Sequence, residues 1–413
     1  MVGKEQLVRI LRVITRLNIG GPSIHAAVLS TKLDPERFFT HLAVGESDRC
    51  EGDLTRLVCG RSVRIMRVKT LHRPIHPVAD ARALFHLLRM AWRAHPHIIH
   101  THMAKAGSLG RLAGVIYNRV GPGRHARHRA VLVHTFHGHV LEGYFPAWLS
   151  QVFVMIERWL ARHSDCLIAV SRAIRDELLE KGIGRSDQWR VIPLGLDLGA
   201  LTQLAFPDGA TPFRVGLVGR LVPVKNPHLF LRGLARLVDQ SQPTRTVHGV
   251  VVGDGPLRAT LEREAAQLGL SHLVYFTGWQ EDLQAVYEGL DVTCSTSWNE
   301  GTPVSLIEAM AAGRAVVATD VGGVRELLDI EGVARVPIPT GDVQVVQRGI
   351  LVRAGDLDGL SAALSLLHHD TALRRSLGEA GRAFVTKHFT VDRLLQDVQQ
   401  LYEHLLQEHC SSA

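Results

Sequence analysis

The chain has 413 residues, a formal net charge of +7 and 46% apolar residues, enough length for two domains that each bury a core. No apolar run approaches the roughly 18 residues needed to span a bilayer, and no repeat, low-complexity tract or charged tail is present. The charge is modest and well mixed, without a basic stripe interleaved with aromatics, so no nucleic acid partner is expected; acidic phosphate-bearing substrates or an anionic membrane face suit it better.

The first predicted element is a strand over Val8–Thr15. Arg9, Arg12 and Arg16 interrupt the apolar residues between Leu7 and Leu17, which makes this segment a poor signal peptide. Asn18-Ile-Gly20-Gly21-Pro22-Ser23 then forms a glycine turn ahead of a helical stretch, Ile24–Lys32. Short apolar runs at His97–His100, Val131–Phe136, Cys166–Val170 and Arg190–Ile192 alternate with helical patterns. A second strand, turn and helix begins at Phe213–Val218, passes through Gly219-Arg220-Leu-Val-Pro-Val-Lys225-Asn-Pro, and continues in Leu229–Leu237. Further strands are expected at Thr246–Val252, Leu273–Phe276, Val292–Cys294, Ala315–Ala318 and Gly349–Val352, and a long last helix at Val391–Gln407. Strand, glycine turn and helix open a nucleotide-type α/β domain, and here they occur twice. The crossover falls near Pro193–Pro212. Five cysteines, Cys50, Cys59, Cys166, Cys294 and Cys410, form no Cys-x-x-Cys pair, which reads as reduced thiols in a cytoplasmic protein.

The most informative stretch runs from Ser295 to Gly313, with Glu300 in a polar loop and Glu308 inside a helix eight positions later. Pro303 suits the first helical turn, Leu306, Ile307, Met310 and Ala311 keep a helical rhythm, and Gly313 is a natural stop. The start of that helix aims free N–H groups and a positive dipole end at whatever faces it, which favours a phosphate. An isolated glutamate on a helix is usually only solvated, but Glu308 falls among apolar residues where an unpaired charge is costly.

This stretch closely resembles the Glu-x7-Glu motif of the retaining glycosyltransferases of family 4 (group 1), including the Glu-Gly-x-Pro opening and the Glu-Ala-Met-Ala-x-Gly tail. The resemblance implies an α/β fold of the GT-B type. Two doubly wound Rossmann-like domains would face a central cleft, with residues 1–200 binding acceptor, 201–388 binding donor, and a C-terminal helix over 389–413 crossing back to the first domain. It further implies that Gly219-Arg220-x4-Lys225-Asn-Pro is a diphosphate clamp, in which a guanidinium and an ammonium replace a metal ion. No metal and no other cofactor are therefore expected.

The donor-binding set implied by the resemblance comprises Gly20, Gly21, Arg220, Lys225, Gly278, Trp279, Glu300, Gly301, Thr302, Pro303, Val304 and Glu308. Glu300 would meet the transferred sugar and Glu308 the ribose, while Phe276-Thr-Gly278-Trp279-Gln280 would meet the base, with Trp279 either stacking or packing. Gly253-Asp254-Gly255-Pro256 is a turn in supporting structure. In His134-Thr-Phe-His137-Gly138-His139, His137 is the candidate for a hydrogen bond to a sugar hydroxyl. His25, on the first helical turn four residues after Gly21, is a candidate to help the Gly20-Gly21 turn meet the donor phosphates or the acceptor. The catalytic residues implied are thus His137, Arg220, Lys225 and Glu300. Thr101-His102-Met-Ala-Lys105-Ala-Gly107 and Gly138-His-Val-Leu-Glu142-Gly-Tyr-Phe resemble a bacterial exopolysaccharide and capsule branch of the family.

The activity implied is hexosyl transfer with retention, from a nucleoside-diphosphate sugar, a UDP-sugar in the first instance, to a hydroxyl of a glycan or polyprenyl-diphosphate-linked acceptor. A cytoplasmic location is expected. Aromatics and arginines in Tyr144–His163, with the basic loop Arg124–Arg129, suit either peripheral contact with an anionic membrane or an ordinary packed helix. Two other functional readings remain open: a sugar-nucleotide epimerase or another enzyme of the same fold, and a non-catalytic nucleotide-sugar-binding protein.

Overall fold

The computed structural model describes residues 7–18, 20–46, 54, 58, 62–125, 128–138, 147–209, 212–240, 246–329 and 336–411. The chain divides into two compact units, one formed by residues 1–196 together with 391–413 and the other by 197–390.

The first unit contains β1 (Val8–Ile14), α1 (Gly21–Thr31), β2 (Phe38–Val44), β3 (Val63–Arg67), α2 (Pro77–Ala94), β4 (Ile98–His102), α3 (Ala104–Arg119), β5 (Val131–Phe136), α4 (Ala147–Arg162), β6 (Cys166–Ala169), α5 (Arg172–Glu180) and β7 (Trp189–Val191). Its seven parallel strands lie in the order β3-β2-β1-β4-β5-β6-β7. The second unit contains α6 (Gly199–Thr202), β8 (Phe213–Val218), α7 (Pro227–Gln240), β9 (Val247–Val252), α8 (Arg258–Gln267), β10 (Val274–Gly278), α9 (Leu283–Glu288), β11 (Val292–Ser295), α10 (Val304–Ala311), β12 (Ala315–Thr319), α11 (Val324–Leu328), β13 (Val343–Val346), β14 (Gly349–Val352), α12 (Leu357–His369) and α13 (Thr371–His388). Its sheet runs β10-β9-β8-β11-β12-β14-β13, parallel except for the antiparallel edge pair β13 and β14. Helix α14 (Val391–Ser411) belongs to the first unit.

Both sheets are doubly wound, and each reverses its strand order beside its first strand: between β1 and β4, and between β8 and β11. Loops leaving the carboxyl ends of strands at such a point diverge and form a crevice. The central strands are buried on both faces, which is why Ile10–Leu11, Val13–Ile14, Ile98–Ile99, Val131–Val133 and Ala315–Ala318 read as apolar runs rather than alternations. β2 and β3 extend the first sheet beyond the strands expected from sequence. β3, Val-Arg-Ile-Met-Arg, lies at the sheet edge and is only half-buried, so its apolar signature is weak.

In the first unit two helical layers cover the sheet. α14 places Leu394, Val398, Leu401, Tyr402 and Leu405 on one stripe, packed with Ile10, Leu29, Ile98, Val131, Val133 and Ile168. On the other face α2 and α3 pack on Leu11, Val13, Ile99 and Leu132, and α4 packs on α3 through the buried ion pair of Arg111 with Glu157 (2.6 Å).

Candidate active site

In the second unit the loops after β8 and β11 carry Lys225 and Glu300, so both residues emerge at the switch point of that sheet. Asn226, in a left-handed conformation, ends the short 3₁₀ turn Pro223–Lys225 and starts α7. The two loops are tied together along their length. Trp298 N donates to Val224 O (2.8 Å), and Thr296 Oγ1 lies 3.1 and 2.9 Å from the carbonyls of Lys225 and Asn226. From the next strand, Thr319 Oγ1 donates to Ser297 O (2.7 Å).

These ties bring the side chains together. Lys225 Nζ donates to Glu300 Oε1 at 2.5 Å, and Ser297 Oγ donates to the same oxygen at 2.6 Å. The Glu300 residue is 9% exposed, so its carboxylate relies on these partners for the hydrogen bonds that water would otherwise supply. Gly322 makes the approach possible. A Cβ there would lie 1.8 Å from the Glu300 carbonyl oxygen, and its φ of +50° suits glycine.

Arg220 follows Gly219, whose φ is +150° and whose missing Cβ would face open space. Gly253 and Gly255 allow the turn after β9 to pack against this loop, since a Cβ on them would meet the carbonyls of Gly219 and Leu221 at 2.0 and 2.5 Å. The turn expected as supporting structure therefore packs directly on the loop that carries Arg220. Gly278, at φ +71°, ends the edge strand β10 and bridges Gly253, with a half-buried Trp279 next in the chain. Gly301 and Thr302 complete the loop. Pro303 is the cap residue before α10 rather than part of its first turn, and Val304 opens the helix.

Glu308 sits one turn along α10. Its Oε2 accepts from the Tyr287 hydroxyl at 2.9 Å, and the same hydroxyl lies 3.0 Å from Ser305 O. Burial pushes the Glu308 carboxyl up to about 7, and the Tyr287 hydrogen bond offsets only part of that rise. Tyr287, from α9, is a member of this site that sequence reasoning missed; its position five residues after the Asp282 cap carried no motif signal.

No Asp-x-Asp metal motif is expected from the sequence reading, yet that string stands at Asp356-Leu-Asp358. Asp356 caps α12: its Oδ1 accepts from Asp358 N and Gly359 N (both 3.1 Å), and its Oδ2 accepts from Gly341 N (2.7 Å). The string is accounted for by helix capping.

In the first unit the switch point is lined with polar groups. Gly20 is the cap residue of α1, and Gly21 is already the first helical residue, three positions earlier than the helix expected from sequence. Only Gly20 therefore lies in the turn. β4 ends in His100, Thr101 and His102, all fully buried, and His137 directly follows β5. His134 Nδ1 lies 2.8 Å from Thr101 Oγ1, and Gly107 is required because a Cβ there would sit 2.4 Å from the His134 ring. His134 is thus a packed member of the core, while His137 faces His102 (3.2 Å) and His25 (ring centroids 4.9 Å). Burial lowers His25, His100, His102 and His134 well below the ordinary histidine value, and His137 to about 3. All five imidazoles are neutral at neutral pH. His139, Glu142, Gly143, Tyr144 and Phe145 lie outside the described residues.

Two site-bearing sheets with this topology invite comparison with known proteins. Residues 20–195 match the glycosyl transferase 4-like domain, and residues 212–370 match the glycosyl transferases group 1. A lipopolysaccharide core biosynthesis mannosyltransferase of Rhizobium leguminosarum bv. viciae is 30% identical over 263 residues, covering 62% of this chain and 68% of that protein. The chain belongs to the family 4 (group 1) glycosyltransferases. Over a longer span, this glycosyltransferase is 26% identical across 382 residues, 90% of either chain, to the UDP-Gal:alpha-D-GlcNAc-diphosphoundecaprenol alpha-1,3-galactosyltransferase of Escherichia coli. Its fold matches the crystal structure of HepE from Anabaena, solved in complex with UDP and glucose, with a TM-score of 0.74 and 21% identity over 96% of this chain and all of that one. The glycosyltransferase has the GT-B fold.

Proposed function

We propose that this glycosyltransferase moves a hexosyl residue, with retention of anomeric configuration and without a metal ion, from a UDP-sugar to a hydroxyl of a glycan or polyprenyl-diphosphate-linked acceptor in bacterial surface polysaccharide synthesis. The observation that carries this reading is the pairing of Lys225 with Glu300 at the switch point of the second sheet, with Lys225 on the same loop as Arg220 and Glu300 on the loop that leads into the N-terminus of α10. Cations and helix N-termini suit a diphosphate, and a carboxylate among them suits sugar hydroxyls. The relatives support the donor and acceptor classes: the Escherichia coli protein takes UDP-Gal to a diphosphoundecaprenol-linked sugar, and HepE was crystallised with UDP and glucose.

In this reading Arg220, Lys225 and the start of α10 stabilise the negative charge that develops on the departing nucleoside diphosphate. The bond from the anomeric carbon to the phosphate oxygen breaks ahead of bond formation, leaving an oxocarbenium-like sugar. The acceptor hydroxyl oxygen then bonds to that carbon on the same face, and its proton passes to the departing phosphate oxygen. Glu300 binds the transferred sugar once donor phosphates compete for Lys225, and Glu308 binds the ribose. His137 donates a hydrogen bond to a sugar hydroxyl. Glu300 and Glu308 serve binding here, so the two-carboxylate scheme of glycosidases does not apply.

Peripheral contact with an anionic membrane is part of the proposal. No helix among the described residues is long and apolar enough to cross a bilayer. α4 exposes Trp148, Met155, Ile156 and Trp159 beside Arg158 and Arg162, and α2 exposes Val78, Phe85 and Trp92 at seven-residue spacing. Both helices pack on α3. Apolar stripes flanked by arginine suit headgroup depth. Retention on phosphatidylglycerol vesicles but not on phosphatidylcholine vesicles, lost at high salt, supports the contact; equal retention on both, or none on either, overturns it.

The donor is tested by thermal unfolding with UDP, GDP, ADP and TDP and their common sugars, with and without magnesium. A ligand at about 100 times its Kd adds about 2.7 kcal/mol. Stabilisation by UDP without magnesium supports the reading, and a response to none of the nucleotides refutes it. The anomeric coupling constant of the product then decides retention.

A further inference from the structure

His25, His102 and His137 offer ring nitrogens that all lie within 4.8 Å of one another. A histidine trio of this kind is the usual starting point for a metal centre, but its surroundings argue for a different device. Arg12, in the middle of β1 and fully buried, donates from Nη1 to His102 Nε2 (3.1 Å) and to His100 Nδ1 (3.0 Å). From Nη2 it donates to the Tyr402 hydroxyl (3.2 Å) and lies 3.4 Å from Leu29 O. The Tyr402 oxygen is 2.6 Å from His100 Nδ1, and His100 Nε2 is 2.7 Å from Thr135 Oγ1.

A guanidinium can only donate. Each ring nitrogen it faces must therefore present a lone pair, which removes the usual ambiguity about where a histidine carries its proton. His102, neutral and unprotonated on Nε2, carries its proton on Nδ1. That nitrogen faces His137 Nε2 at 3.2 Å, so His102 donates and His137 accepts. His137 must then hold its own proton on Nδ1. That atom is buried and has no hydrogen-bond partner among the described residues, and the same is true of both ring nitrogens of His25 beside it.

A metal ion fits poorly into this order. A ligating histidine donates its second N–H to a carboxylate or carbonyl, whereas the second nitrogen of His102 faces a cation. The ion would also lie close to a buried guanidinium, where like charges repel strongly.

We propose that Arg12, held by Tyr402 of the C-terminal helix, fixes the tautomer of His137 through His102, so that His137 offers an Nδ1–H donor to an oxygen of the sugar substrate. Arg12, His102 and Tyr402 are positioning residues in this scheme. The nature of the acceptor oxygen rests on the sugar-transfer reading, but the proton arrangement does not.

The test is a long-range ¹⁵N–¹H correlation spectrum of the uniformly labelled full-length protein at neutral pH, with the His102 and His137 rings assigned from His102→Gln and His137→Asn. The expected result is that both rings are neutral and protonated on Nδ1. In Arg12→Met the His102 proton is free to move to Nε2 and His137 populates both tautomers, while Arg12→Lys, which keeps a donor, restores the original pattern. In activity assays Arg12→Met lowers kcat at least tenfold with donor KM within threefold, and Arg12→Lys recovers most of it. A wild-type His137 protonated on Nε2 overturns the proposal, and that spectrum needs no variant to fold. So does an Arg12→Met variant with unchanged tautomers, or stoichiometric zinc replaceable by cobalt with visible d–d bands. The expected tautomers in a protein that transfers no sugar would instead refute the functional reading alone.

Discussion

Replacing Glu308 by glutamine removes a charge that burial disfavours while keeping an oxygen to accept from the Tyr287 hydroxyl. In the folded protein the Glu308 carboxyl rises from its ordinary 4.5 to about 7. At about 1.4 kcal/mol per pH unit that difference corresponds to about 3 kcal/mol. The sign follows from proton uptake. Between pH 4.5 and 7 the folded state holds the proton and the unfolded state has lost it, so wild-type stability falls as pH rises through this window and levels off above 7. Glu308→Gln has no such loss. Its stability relative to wild type should climb by about 3 kcal/mol between pH 4.5 and pH 8, a gain of roughly 6 °C or more in Tm for a unit of this size. Calorimetric melts of both proteins at half-unit pH steps measure it directly. A difference that stays flat with pH, or one that grows toward acid, refutes the assignment of a buried, protonated carboxyl.

Donor binding should show the same group from the other side. Ribose hydroxyls that donate to Glu308 favour its charged form, so UDP affinity should increase as pH rises from 6 to 7 and change little above; a profile unchanged in Glu308→Gln removes the carboxyl from the site. Lys225→Ala should cut turnover at least ~100-fold, measured with saturating donor, and near-normal turnover refutes the clamp. Gly322→Ala should destabilise the protein by at least about 2 kcal/mol and weaken UDP binding, because the new methyl collides with the Glu300 carbonyl; melts and calorimetric titration read both effects. Leu394→Ala, which opens a hole under α14, should cost about 2–5 kcal/mol in a melt.

The sequence was informative where physics leaves a local trace. Two strand–glycine–helix openings announced two nucleotide-type domains, and the Glu300 to Val304 stretch announced a loop feeding a helix. The contact between Lys225 and Glu300, at 2.5 Å, is one that neither motif announced. What could not be read were relationships made by long-range register. Nothing near position 287 marks a tyrosine that will meet Glu308, because the contact is created when α9 and α10 pack. Nothing in Val8–Ile14 marks Arg12 as buried, since an arginine in a strand is ordinarily a surface residue. Its place became legible only once β4 and α14 were known to lie beside it. Nor does the sequence around Gly322 mark its constraint, which is the carbonyl of a residue 22 positions away.

The return of α14 to the first unit has a consequence for biosynthesis. Its stripe of Leu394, Val398, Leu401, Tyr402 and Leu405 closes one face of a sheet whose strands are all made before residue 197. As the chain leaves the ribosome, that apolar face must wait uncovered while the whole second unit is synthesised. The histidine assembly waits with it, because Tyr402 arrives last. A chain that stops between residues 391 and 401 would therefore carry a complete second unit, while its first unit would have an incomplete cover and lack the hydroxyl that holds Arg12.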